Sequence, residues 1–169
     1  MSIGIKHLLQ HAYWADQALI GKLLTMDDSV LALYSHDENY TVGYLIAHIA
    51  SGGDWYQHIL TTKPLTYVPT PKTMPEAAGT LKLIASLDME LVALADGEND
   101  LHIVPNDDLN DARVNKKSRE MVLSQVVHHA TEHRAQLVSI LNHHKIFDIS
   151  CDDYDLWCYD NYLKSEPIK

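Results

Sequence analysis

Cysteine is scarce. Cys151 and Cys158 are the only two in 169 residues, and on a helix their Cα atoms would lie about 10.5 Å apart, beyond disulfide reach. That excludes a scaffold stapled by disulfides and leads us to expect a reduced, intracellular chain with ordinary buried thiols. Their spacing also lacks the two-residue separation of zinc or thioredoxin motifs. Basic residues are few as well. Thirteen Lys and Arg against 23 Asp and Glu leave a net charge of −10, which opposes attraction to phosphate backbones and anionic lipid. No nucleic-acid or membrane partner is expected. Long apolar runs are missing too: no window approaches 18 uninterrupted apolar residues, the length a spanning helix needs. Met1 to Leu9 has no basic stretch leading into an apolar run and a small-residue cleavage site, so we expect neither secretion nor a membrane anchor, and a cytoplasmic location.

What is present suits one ordinary domain spanning 1–169, with 46% apolar and 21% charged residues. A chain of this length hides roughly 70% of its unfolded surface on folding, enough for a core without metal or disulfide support. A metal, if bound, need not be structural. The unusual component is histidine. Eleven imidazoles, against 13 Lys and Arg together, give the chain an excess of potential ligands and proton carriers near neutral pH.

Helical periodicity marks four long segments. Ile5, Leu8, Leu9, Ala12, Ala15, Leu19 and Leu23 recur at three- and four-residue steps, which predicts a helix over 3–26. A polar connection, 27–40, leads to Thr41 as N-cap of a second helix with Val42, Leu45, Ile49, Tyr56, Ile59 and Leu60 on one face, ending near Thr62. Gly52 and Gly53 inside it cost up to about 1 kcal/mol each in propensity, so close packing against a neighbour should offset them. Pro64, Pro69, Pro71 and Pro75 define a loop, the last suiting the first turn of a third helix that Gly97 stops. From 98 to 117 the pattern lapses, leaving a long loop with room for a small hairpin around Leu101 to Val104. Ser118 offers an N-cap to a fourth helix striped by Val122, Val126, His129, His133, Leu137, Ile140 and Leu141. A short aromatic-rich fifth element covers 153–164. The expected class is all-α: a four-helix bundle, up-down with a crossover connection, plus a short C-terminal helix.

Two histidines replace aliphatics inside the fourth helix. Positions i and i+4 lie about 6 Å apart along the axis and about 40° around it, so His129 and His133 can converge on one cation. On the helical wheel His133 falls at the centre of the apolar stripe and His129 about 50° from it, while His128 points about 150° away. A third ligand should come from a facing helix. His48, between Ala47 and Ile49, sits at the edge of the second helix's stripe. A neutral imidazole there needs a partner or costs roughly 1 to 3 kcal/mol, a need that a metal or a buried carboxylate would meet.

Other candidates read differently. His7 and His11 share the spacing but lie roughly 100° or more from their helix's apolar centre, which predicts a solvated or subunit-facing position. His128 and Glu132 belong to the outer face of the fourth helix. Glu132 does not directly follow the first His, as the base of a zinc metalloprotease does; Ala130 occupies that slot. Arg134 is read as an ion-pair or subunit contact, and His143 and His144 as favourable charges at a helix C-terminus. His36, His58 and His102 have no matching spacing. Trp14, Trp55, Tyr56, Trp157 and Tyr159 could line a pocket for an apolar electrophile, but amphipathic helices place such residues in cores or dimer faces more often, so no substrate contact is assigned to them.

The run Val127-His128-His129-Ala130-Thr131-Glu132-His133-Arg134-Ala135-Gln136-Leu137 resembles the signature helix of the DinB family, the damage-inducible-like bundle proteins grouped with the YfiT-like metal-dependent hydrolases. Tyr13 to Leu19 is similar to the family's first helix, Ala47-His48-Ile49 to its second, and Asp153-Tyr154-Asp155 to its C-terminal segment. One departure is Ala135, where the family commonly has glycine. The resemblance implies a bundle, often a homodimer, holding one divalent metal, zinc or nickel, through His48, His129 and His133. Three imidazoles leave a coordination position open, the arrangement of catalytic rather than structural zinc. It further implies transfer of a low-molecular-weight thiol to an electrophilic small-molecule substrate. Metal coordination would convert a thiol of pKa around 8.5 into the thiolate nucleophile. The alternatives are metal-dependent hydrolysis, through lowering of the pKa of water, or a non-catalytic, stress-related metal-binding dimer.

Overall fold

The computed structural model describes residues 3–105 and 115–165. They are mostly helical: α1 is Ile5–Leu23, α2 Val42–Thr61, α3 Met74–Leu94, α4 Arg119–His143 and α5 Leu156–Ser165, with a small antiparallel sheet of β1 (Leu101–Ile103) and β2 (Lys116–Ser118). None of these helices is long and apolar enough to cross a membrane.

The helices start where side chains can satisfy the first free N–H groups. Thr41 Oγ1 accepts from the N–H of Tyr44 at 3.1 Å and Ser118 Oγ from that of Met121 at 3.2 Å, contacts worth about 1 kcal/mol each. At α3, Thr73 is the cap and Pro75 stands in the first turn, where its missing N–H has no helical partner to lose. The sheet pairs Leu101 with Ser118 and Ile103 with Lys116, so the hairpin anticipated near Leu101 forms; 106–114, the rest of that loop, lies outside the described residues. The connection after α1 is less polar than it reads. A 3₁₀ turn over Asp28–Ala32 turns Val30 and Leu31 inward. The C-terminal element divides in two, a 3₁₀ turn over Cys151–Tyr154 and then α5, with extended Asp155 between them accepting a hydrogen bond from the N–H of Cys158 at 2.7 Å.

Helix α1 lies against α3 and α4, and α2 against the same two. Their buried side chains form two apolar clusters. One gathers Leu19, Ile20, Leu23, Leu45, Ile46, Ile84, Leu137 and Leu141, the other Leu9, Tyr56, Ile59, Leu60, Leu91, Leu123 and Val126. Each large aliphatic side chain contributes about 1.5–3 kcal/mol by leaving water. Between the clusters in sequence, every long helix carries polar or small residues: Asp16 on α1, Ser51 to Asp54 on α2, Asp88 on α3, and 129–134 on α4.

An ion pair crosses this middle zone. Arg134 Nη1 meets Asp16 Oδ1 at 2.8 Å, and both residues are buried, 5% and 1% exposed. Arg134 also donates to Thr131 Oγ1 at 3.1 Å and to the carbonyl of Ala12 at 3.4 Å. The sequence reading of Arg134 as an ion-pair residue is met within the chain. Removing one partner strands a buried charge, which typically costs about 3–5 kcal/mol, whereas replacing both by apolar residues can be nearly neutral. Urea unfolding should therefore show Asp16→Ala losing stability in that range and the double variant Asp16→Leu/Arg134→Met recovering most of it.

Candidate metal centre

Helices α2 and α4 are neighbours, and the residues that face each other across them at mid-height are histidines. His48 comes from α2, and His129 and His133 from successive turns of α4. One ring nitrogen of each lies within 4.8 Å of the other two. Ring centroids are 4.3 Å apart for His129 and His133, 4.6 Å for His48 and His133, and 5.1 Å for His48 and His129. The two Nε2 atoms of α4 are 3.0 Å apart, close to the separation of about 3.3 Å between nitrogens that sit about 2.05 Å from one tetrahedral ion. The three side chains could hold a metal ion.

Neighbours fix each ring. Gln136 Oε1 can only accept, so its 2.8 Å contact with His133 Nδ1 places the proton there and leaves His133 Nε2 with a lone pair toward the other two histidines. This is how outer partners orient metal-ligating histidines. Tyr44, one turn before His48, stacks on it with centroids 5.6 Å apart and planes at 12°. Tyr56 meets His129 edge to face at 5.6 Å. Gly52 supplies the room: a Cβ built there would stand 2.4 Å from His129 Cε1. The packing expected to offset this helical glycine is the imidazole itself. Gly53 makes only ordinary contact, 3.5 Å from Leu87 Cβ.

Burial sets the electrostatics. His133 is 7% exposed, His48 and His129 are half-buried. Desolvation, with smaller repulsions from His133 and His48, pushes the pKa of His129 down to about 4. Desolvation followed by the charge of His133 also lowers His48. Two imidazoles that resist protonation, His48 and His129, keep their lone pairs available for a cation.

The remaining sequence-derived candidates separate from this site. His128 and Glu132 are exposed on the outer face of α4, as their wheel positions imply. His143 ends α4, and His144 caps it with Nε2 2.8 Å from the carbonyl oxygen of Tyr34. His36 stands beside His143, with centroids 5.9 Å apart, while His58 bonds to the Lys63 carbonyl and His102 to Asp100. Two expectations fail. His11 is buried, 8% exposed, with Nε2 2.8 Å from the Tyr154 carbonyl and its ring 5.7 Å from that of Tyr159, and His7 packs on the same tyrosine at 5.4 Å. The C-terminal turn and α5 cover the face of α1 that its own wheel leaves polar. The cysteines are not buried: Cys151 is exposed and Cys158 half-exposed, both as free thiols. They belong to a short peripheral segment rather than to either core cluster.

A hollow opens beside the trio, lined by His48, Ser51, Gly52, Trp55, Tyr56 and His129. The sequence reading assigned Trp55 and Tyr56 to cores or subunit faces. Here Tyr56 does both, buried in the second apolar cluster and facing the hollow. Tyr44 and Gln136 were also missed as supports. Their spacings of four residues before His48 and three after His133 were the available signals, since both place a side chain on the same helical face. The chain matches no known family model, no curated protein and no solved structure.

Two outcomes test this geometry without any metal. Gly52→Ala should destabilise the protein by about 1–3 kcal/mol through overpacking against His129. In a His129→Ala background the same change should turn stabilising by up to about 1 kcal/mol, because alanine favours the helix; chemical denaturation of the four proteins in a double-mutant cycle measures both. The pH dependence follows from His129. Its pKa lies below the unfolded value near 6.5, so between those values the unfolded chain binds more protons. Stability of the metal-free protein should fall as pH drops from about 6.5 toward 4 and be insensitive to this group above 6.5. His129→Gln should flatten that part of a melting-temperature profile.

Proposed function

We propose that His48, His129 and His133 bind one divalent metal ion, zinc or nickel, and that the chain is a DinB-like four-helix bundle, up-down with a crossover connection and a short C-terminal helix. The observation that carries the metal assignment is the meeting of three imidazole nitrogens from two helices within 4.8 Å. Gln136 holds one of them in the ligating tautomer. The bundle assignment draws on the arrangement of the long helices, each of which has two long neighbours. The long connections 24–41 and 95–118 join helices that are not close neighbours, α1 to α2 and α3 to α4.

The activity we propose is transfer of a low-molecular-weight thiol to an electrophilic small molecule. An ion bound there would supply the charge that deprotonates a thiol at neutral pH. The chain's own part is to present His48 and His129 at the edge of the hollow, keep His133 behind them, and exclude water with the rings of Tyr44 and Tyr56. Among the described residues, no carboxylate lines the hollow to serve as a general base, so a nucleophile activated by the ion itself, thiolate or hydroxide, fits the site better than one activated by a side chain.

Elemental analysis of protein purified without chelator should find near-stoichiometric metal, lost in each of His48→Ala, His129→Ala and His133→Ala. Absence of metal after reconstitution would defeat the assignment. Because imidazole binds a cation only when unprotonated, metal should dissociate as pH falls toward and below about 4, where His129 gains its proton; retention that does not change with pH through that range contradicts an all-histidine site. Metal-loaded protein incubated with a panel of thiols and monochlorobimane should give conjugation that His133→Ala abolishes while circular dichroism stays helical. Metal uptake without turnover across the panel would favour a non-catalytic metal-binding homodimer.

A further inference from the structure

The hollow beside the histidines is an open depression of about 310 Å³, the low end of small-molecule sites and room for one ring with a short substituent. Its walls carry a definite chemistry. Trp55 and Tyr56 meet edge to face with centroids 5.0 Å apart, and Tyr56 continues edge to face onto His129 at 5.6 Å. Ser51 contributes the one aliphatic hydroxyl. Among the described residues, no Lys, Arg, Asp or Glu lines the space. The whole chain carries a net charge of −10.

An entering carboxylate or phosphate would therefore lose water without gaining a cation from the walls, and would approach a chain of net negative charge. A flat apolar group meets the opposite situation, because a face laid against Trp55 and Tyr56 leaves water for aromatic carbon. We propose that this hollow is the substrate pocket of the histidine trio and that it selects an uncharged aromatic group, with Trp55 as the specificity-determining wall. The inference rests on the metal reading only for placing the reacting atom beside the three imidazoles; the preference for a neutral ring is a property of the walls alone.

The test uses both metal-free and metal-loaded protein. In chelator-treated protein, saturation-transfer NMR should show benzyl alcohol contacting the protein and benzoate contacting it far less. Trp55→Ala should lose the benzyl alcohol signal and Trp55→Phe, which keeps a ring in place, should retain it. In Co²⁺-loaded protein, followed by its visible absorption, 4-phenylimidazole should bind about tenfold more tightly than imidazole, the worth of one good aromatic contact. A para-carboxylate on the phenyl ring should cancel that gain. Benzoate binding as well as benzyl alcohol, or a benzyl alcohol signal unchanged in Trp55→Ala, overturns the proposal, as does equal affinity for the two imidazoles. Failure to take up Co²⁺ while the benzyl alcohol preference survives would instead overturn the metal reading and leave the neutral aromatic pocket standing.

Discussion

Helix α4 buries an imidazole and a guanidinium at consecutive positions, His133 and Arg134, and neither can stay away from water without a partner. Consecutive residues on a helix point about 100° apart, so the two demands are answered by different neighbours. Arg134 turns to α1 and is met by Asp16; His133 turns to α2 and is met by His48 and His129. The ion pair thereby fixes the rotation of α4 about its axis. Given that rotation, the lone pairs of the histidines have only one place to converge. A hydrophobic seam would hold α4 nearly as well, but would tolerate small rotations that a 2.8 Å ion pair between two buried groups does not.

The rest of the molecule accommodates this polar zone by dividing its core. The two apolar clusters flank it, one around Leu19, Ile46 and Leu137, the other around Leu9, Ile59 and Leu123. Each is large enough to support the ends of the helices while the middle is given to polar and small side chains. Gly52 shows the cost on α2. The helix gives up propensity at that point because any side chain would occupy the space of the His129 ring. Chains of this length can afford such an arrangement, since they bury enough surface to fold without the site.

Reading the sequence alone recovers the helices and the convergence of the histidines for one reason: both are written in 3.6-residue periodicity. The caps at Thr41 and Ser118, the apolar stripes, and the inward directions of His129 and His133 all follow from spacing along single helices. What fails lies beyond that range. His11 looks solvent-facing on the wheel of α1, and becomes buried only because residues 150–159 return to cover it. Cys151 and Cys158 follow the same logic in reverse, since a short segment at the periphery has too little around it to enclose them. Trp55 and Tyr56 receive no substrate contact from the sequence because an amphipathic pattern reports which face is buried and does not reveal whether a hollow interrupts it. Gln136 and Tyr44 were within reach of periodicity, but their importance depends on the rings they touch, which belong to a site that exists only once α2 and α4 have met.

Asp88 closes the charge accounting of the middle zone. It extends from α3 toward Asp16 and Arg134, and its Oδ2 is buried with no hydrogen-bond partner among the described residues. Burial, and then the charge of Asp16, hold its carboxyl well above the ordinary carboxylate range, against a smaller opposing pull from Arg134. Burial also raises Asp16, but there the guanidinium opposes it directly at 2.8 Å. One cation cannot serve two carboxylates equally in an interior of low dielectric, and the guanidinium lies directly against Asp16 at 2.8 Å, so its pull on Asp88 is the smaller of the influences there. Burial is thus the leading influence on this whole middle zone: it raises the carboxyls of Asp16 and Asp88 and, as the first cause at both His48 and His129, holds those imidazoles toward the unprotonated form.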